Sequence, residues 1–278
     1  MRKAIEGALL SGMVALLAGG IRIEPFSWSA PKPKLSESRS SPIAISSDDR
    51  FVWVANPDND SVSVLEVGGD VDLKVQEIPV GDEPQCVAIT PDDRKVYVTN
   101  MVSGTVSVID ANTRKVTDTI EVGTEPFGCA LTLDGKKLYV ANFSSDDVSV
   151  INTHSDHVEK TIDGVGPKPR GIAITDDPKG PGHDKVYVTQ FLAQLRDDAR
   201  PVDEKEGRDD GKEGRVTVID ANNNKILGTI VLNPLADTGF ASQGSTLDRT
   251  LAPTAVVTGA FPNLLQSIVL KGNHAYLP

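Results

Sequence analysis

Residues 95–115 read KVYVTNMVSGTVSVIDANTRK. Two apolar runs, VYV and VSVI, are separated by a polar joint, and DANTRK closes the stretch. A near copy, KLYVANFSSDDVSVINTHSDH, follows at 137–157. Valine, isoleucine and tyrosine suit a pleated surface, and the Asp, Asn, Gly and Pro of the joints suit turns. Each run reads as a strand. Neither alternates strictly between apolar and polar residues, so both faces of the sheet must be covered.

The stretch belongs to a period. Pro42, Pro84, Pro126 and Pro169 are spaced by 42, 42 and 43 residues. A first strand follows each proline: IAIS, VAIT, ALT and IAIT. Second strands are FVWVAN, VYVTN, LYVAN and VYVTQ, and third strands are VSVLE, VSVID, VSVIN and VTVID. VQEIPVG, VTDTIEVG, VEKTIDGVG and ILGTIVL supply the fourth. Four-stranded units buried on both faces are satisfied by radial stacking, as in the blades of a β-propeller. The fold class expected is therefore all-β, an incomplete β-propeller of four-stranded antiparallel blades with about four and a half blades. The blades span about 42–83, 84–125, 126–168 and 169–232, with a partial fifth from 263.

Val-Tyr-Val-Thr-Asn (96–100), Thr-Val-Ser-Val-Ile-Asp (105–110) and the Val-Gly-x-x-Pro joint (122–126) resemble the YVTN β-propeller repeat family. The resemblance covers residues 42 to about 232 and a fragment at the end. It implies an exported or surface protein of the kind found in bacteria and archaea, within a superfamily that also holds lactonase-like hydrolases. The motif is specific for fold and weak for function.

Breaks in the period locate insertions. Tyr97→Ile109 and Tyr139→Ile151 are each 12 residues, whereas Tyr187→Ile219 is 32, which puts 20 extra residues within 191–214. Ile120→Leu131 is 11, whereas Ile230→Ile268 is 38, so 233–262 is also inserted. Strand direction alternates within a blade, so both insertions belong on one rim. The charge-dense first loop is expected to be the mobile arm and the second the ordered cover. DDPKGPGHD, after Ile174, belongs on the opposite rim. Ile268→Tyr276 repeats the first-to-second-strand spacing of 8, and the chain ends at Pro278, so the sequence reads as a fragment of a longer protein.

The N-terminus is a separate unit. MRK precedes the 11-residue apolar run ALLSGMVALLA (8–18). A bilayer span needs about 20 such residues, so residues 1–30 read as a signal peptide rather than a stable membrane span. PKPKLSESRSS (31–41) reads as a linker. Localisation is expected to be exported: periplasmic, cell surface or extracellular. Net charge of −11 and a pI near 4.8 argue against nucleic acid as a partner.

Chemistry is sparse. GxSxG, HExxH, CxxCH and a phosphate-binding glycine loop are all absent from the sequence, and two tryptophans carry no repeated quinone-docking motif. No catalytic residue, metal ligand or cofactor is assigned. His154-x-x-His157 lacks further ligands. Cys86 and Cys129 sit one register apart on neighbouring first strands. Two buried thiols are the default, with a disulfide left open. Asn56, Asn100 and Asn142 end equivalent second strands and read as caps of the next turn. Asp110 and Asp220 suit the turns that follow them.

Residues flanking the repeated proline vary between blades, which is where a ligand would be read. Glu83 and Gln85, Glu125 and Phe127, and Lys168 and Arg170 begin the innermost strands at the channel mouth. They are the ligand-binding candidates, set against a plain reading as charges lining a wet funnel. The expected function is an exported binding or interaction protein that engages a protein, glycan or cell-surface component through one rim. The alternatives are a lactonase-like hydrolase and the propeller portion of a larger redox enzyme.

Overall fold

In a computed structural model, the chain is described over residues 42–69, 72–175, 184–197, 201–202, 211–232, 262, 264–271 and 274–277. The apolar runs pair locally into antiparallel ladders. β1 (Ile43–Ile45), β2 (Phe51–Asn56), β3 (Ser61–Glu66) and β4 (Leu73–Pro79) form the first sheet, in that order. The second is β5 (Pro84–Ile89), β6 (Lys95–Asn100), β7 (Thr105–Asp110) and β8 (Lys115–Glu121). β9 (Pro126–Leu131), β10 (Lys137–Asn142), β11 (Asp147–Asn152) and β12 (His157–Ile162) form the third. The fourth joins β13 (Pro169–Ile174), β14 (Lys185–Gln190), β17 (Arg215–Asp220) and β18 (Lys225–Val231). Between β14 and β17 lies a two-stranded ribbon, β15 (Gln194–Leu195) with β16 (Lys212–Glu213).

The two-sided burial demanded by the sequence is met between sheets. Val98 and Val96 pack with Trp53 and Val64 of the first sheet. Tyr97, on the other face of β6, packs with Leu138, Val140 and Ile151 of the third. Tyr139 repeats the arrangement against Ile172, Val186 and Ile219 of the fourth. Each tyrosine also reaches a turn of the next blade. Tyr97 Oη donates to Asp156 Oδ1 at 2.6 Å, and Lys95 Nζ reaches Asp156 Oδ2 at 2.6 Å. Tyr139 Oη donates to Asn224 Oδ1 at 2.5 Å. Burial, and for Tyr97 also the Asp156 carboxylate, hold both phenols well above their ordinary pKa.

The asparagines ending the second strands do not bond the backbone of the next turn. Asn100 Nδ2 donates across it to Thr105 Oγ1 at 3.0 Å and Ser107 Oγ at 2.9 Å. Asn142 does the same to Asp147 and Ser149. Hydroxyls of the third strand, and for Asn142 also the Asp147 carboxylate, capture these amides before the backbone can. Asp110 serves its turn as expected, accepting from Thr113 N at 2.7 Å, and Asp220 accepts from Asn222 N at 2.8 Å.

Cys86 and Cys129 form a disulfide, with Cα atoms 6.0 Å apart. This corrects the default of two packed thiols. Their opposite facing directions bring them together because the β5 side chain points toward the third sheet and the β9 side chain toward the second.

Beyond the fourth sheet, β19 (Val269–Lys271) pairs with β20 (His274–Tyr276). Tyr276 stands opposite Val269, whereas Tyr97 stands opposite Ala88, so this hairpin is in a tighter register than its counterpart. Leu265, Ile268 and Leu270 pack on Ala173 and Val216. The flanks of the two insertions meet: a Cβ on Gly214 would lie 2.6 Å from Pro262 O. The stretches read as signal peptide, linker, cover loop and DDP insertion fall wholly or almost wholly outside the described residues, whereas the arm expected to be mobile is described at 191–197, 201–202 and 211–214, where β15 and β16 pair its two ends. Among the described residues, no helix is long and apolar enough to cross a membrane.

Candidate functional site

The joint between blades is a repeated backbone device. Glu83, Glu125 and Lys168, each preceding the proline, have φ of 51°, 54° and 52°. Their carbonyls accept from the residue that follows the second strand: Met101 N at 3.0 Å, Phe143 N at 2.9 Å and Phe191 N at 2.9 Å. The left-handed turn therefore brings two variable side chains together at every joint. One precedes or follows the proline, and the other follows the second strand.

At the third and fourth blades this produces a continuous ladder of side chains. The Arg170 guanidinium lies 4.1 Å from the ring centroid of Phe127 and 4.7 Å from that of Phe191. Phe191 and Phe143 meet at 5.7 Å with planes tilted by 59°. Lys168 Nζ lies 5.2 Å over Phe143 and donates to Ser144 Oγ at 3.4 Å. Ser144 Oγ in turn donates to Glu125 Oε2. A cation over an aromatic face gains about 0.5–2 kcal/mol, more as water is excluded.

Arg170 is the unusual member. Among the described residues it forms no ion pair, and its buried Nε has no acceptor. Burial pulls its pKa down, but a guanidinium stays charged across the physiological range. Glu125, the nearest carboxylate of the ladder in sequence terms, is held by Ser144 instead.

The YNCE-like beta-propeller family model matches residues 32–179, just over half of the 278-residue chain. The chain belongs to the YNCE-like beta-propeller family. Among solved structures, this family member resembles the hydrazine synthase of Kuenenia stuttgartiensis, with 23% identity and a TM-score of 0.55 over 69% of this chain and 49% of that one. The dihydro-heme d1 dehydrogenase NirN in complex with DHE matches at 16% identity and a TM-score of 0.49, over 70% of this chain and 38% of that one. U3-55K matches at 15% and 0.49, over 70% and 52%. The YNCE-like chain spans between 38% and 52% of the length of these structures, and at such identities the first likeness shows the fold alone. No curated protein matches it.

Of the residues marked from sequence, the structure of this YNCE-like propeller links Glu125, Phe127, Lys168 and Arg170 through the ladder. Glu83 is exposed, and its backbone N–H donates to Asp60 Oδ1 at 2.9 Å. Gln85 is half-buried in the position equivalent to Phe127. Neither is joined to the ladder by a hydrogen bond or ion pair among the described residues. Phe143, Ser144 and Phe191 were not marked. Their signal was available: Pro57, Met101, Phe143 and Phe191 occupy one repeat position, and it turns aromatic only in the two blades where the joints carry Phe127 and Arg170. His154 and His157 sit at a turn where His157 Nδ1 contacts Asp156 O at 2.8 Å. Among the described residues no three His, Cys, Asp or Glu side chains group as metal ligands.

Proposed function

We propose that this YNCE-like propeller is an exported binding module that captures its ligand at the joint-bearing rim of the third and fourth blades. The observation carrying this reading is the ladder of Phe127, Arg170, Phe191, Phe143 and Lys168, in which charged and apolar groups converge beside an arginine with no counter-ion among the described residues. Binding sites combine apolar walls with a few placed polar groups, and loops on rigid scaffolds carry them. The partner classes suited to such a rim are a protein segment, a glycan or a cell-surface component.

Ligand-observed NMR with a fragment library tests the location. Fragments that respond to the wild-type protein should lose the response when Phe143 and Phe191 are both replaced by alanine. Responses unaffected by that double replacement would reject the rim as the site. Export draws support from the apolar run at 8–18 and from the Cys86–Cys129 disulfide, since such bonds persist in oxidising compartments. Mass spectrometry of the secreted protein should find a mature N-terminus between residues 21 and 31, and an intact Met1 on cytoplasmic protein would refute export. The lactonase-like alternative requires carboxylates gathered around a divalent ion, and no such group stands among the described residues. The redox-enzyme alternative leans on the hydrazine synthase likeness, which is one of fold.

A further inference from the structure

Arg170 combines three properties that a purely structural arginine seldom has together. Aromatic rings hold its guanidinium on two contacts, at 4.1 and 4.7 Å. Its Nε is buried and has no acceptor among the described residues. No carboxylate pairs with it among the described residues, although the chain carries 39 acidic side chains against 28 Lys and Arg. A buried donor without a partner forfeits the hydrogen bond it makes with water in the unfolded chain. Methionine would fill the same space between the rings without that penalty, so packing alone does not explain the charge.

A guanidinium stacked on a ring keeps its N–H edge for hydrogen bonds. That edge, with the paired Nη groups in one plane, matches a carboxylate in a two-point hydrogen bond. Lys168, over Phe143 on the same ladder, adds a second positive charge. Glu125 is occupied by Ser144, so the ladder of Arg170, Lys168 and Glu125 has a net charge of +1 on a chain whose total is −11. Beside the cations, the half-buried rings of Phe143 and Phe191 stand at an angle of 59°. A flat apolar group fits such an angle edge-to-face.

From this we infer that the rim binds a small carboxylate carried on a planar apolar body, with Arg170 gripping the carboxylate and Phe143 and Phe191 receiving the body. The inference rests on the binding reading above and specifies its ligand class.

Titration calorimetry of the full chain with benzoate, and in parallel with its neutral isostere benzamide, tests it. Benzoate should bind saturably and at least tenfold more tightly than benzamide. Arg170→Met should weaken benzoate at least tenfold and leave benzamide unchanged. Arg170→Lys, which keeps the charge and loses the fork, should fall between. Circular dichroism melts of each variant check that the fold is retained, and if Arg170→Met melts early, Lys168→Met supplies the charge test with an expected weakening of about threefold. Equal affinity for benzoate and benzamide overturns the carboxylate assignment. Benzoate binding that Arg170→Met does not alter overturns it too, as does a lack of saturable benzoate binding. If benzamide or other neutral fragments still bind and depend on Phe143 and Phe191, the rim remains the site and only the ligand class falls. If no fragment depends on those rings, both readings fall.

Discussion

Glu77 sits in the densest polar cluster of the first blade. It accepts from Ser63 Oγ at 2.8 Å, from Asn56 Nδ2 at 2.9 Å, and from the Ser61 hydroxyl, and it pairs with Lys74. Lys74, followed by the Ser61 and Ser63 hydroxyls, draws its pKa from 4.5 down to about 2. A carboxyl with a depressed folded-state pKa contributes stability that is fully present above its unfolded value and is lost as pH falls. The window here runs from pH 4.5 to about pH 2. Melting temperature should therefore fall across that window in the wild type and fall less steeply in Glu77→Gln, as thermal scans at stepped pH would read. An identical acid slope in both proteins would count against this assignment. Residue-scale reasoning from sequence was good for charges and poor for contacts. Arg170 and Phe127 were visible as odd members of a repeat position, but their ring contacts needed Phe191, some twenty residues farther along the chain than Arg170. Nothing in a strand pattern says that a left-handed joint brings those two positions together.

At the scale of elements, the inner strands set the tolerances. A Cβ on Gly128 of β9 would stand 2.2 Å from the backbone oxygen of Arg170 on β13. Backbone cannot swing aside as a side-chain tip can, and overpacking of this kind costs about 1–3 kcal/mol or more. Gly128→Ala should lower the melting temperature and weaken fragment binding at the rim together, because the displaced carbonyl belongs to the residue that carries the guanidinium. A variant with normal melting would show that the two strands can part freely. The disulfide joins β5 to β9, and closing a loop of 43 residues contributes about 4 kcal/mol in the chain-entropy account. Alkylation followed by mass measurement should detect no free thiol before reduction and two after it, and the reduced protein should melt earlier. The strands themselves were legible from the 42-residue period and from the two-sided burial of VYV and VSVI. The cysteine pair was not, because register parity fixes the direction of each thiol relative to its own sheet and not the distance between neighbouring sheets. The register of β19 and β20 was missed for a similar reason: spacing matched the earlier blades, yet the hairpin pairs Val269 with Tyr276.

At the scale of the molecule, each sheet relies on the next. Tyr97 and Lys95 hold a turn of the third blade, Tyr139 and Lys137 a turn of the fourth. Stability in such an array is shared between neighbours. One bond alone changes the connectivity of the chain itself. Because Cys86 and Cys129 are joined, the peptide between them is a covalent ring with two tails. Arg94 and Lys115 lie within that ring and are exposed. A protease that cuts after either residue opens the ring and releases nothing. Brief trypsin treatment that cuts only there should leave a single band of full mass on a non-reducing gel and resolve into two pieces once reductant is added. Separation without reductant would mean the ring was never closed. In a compartment rich in proteases, the second blade would be scarred by cleavage and still stay attached on both sides to the blades that it supports.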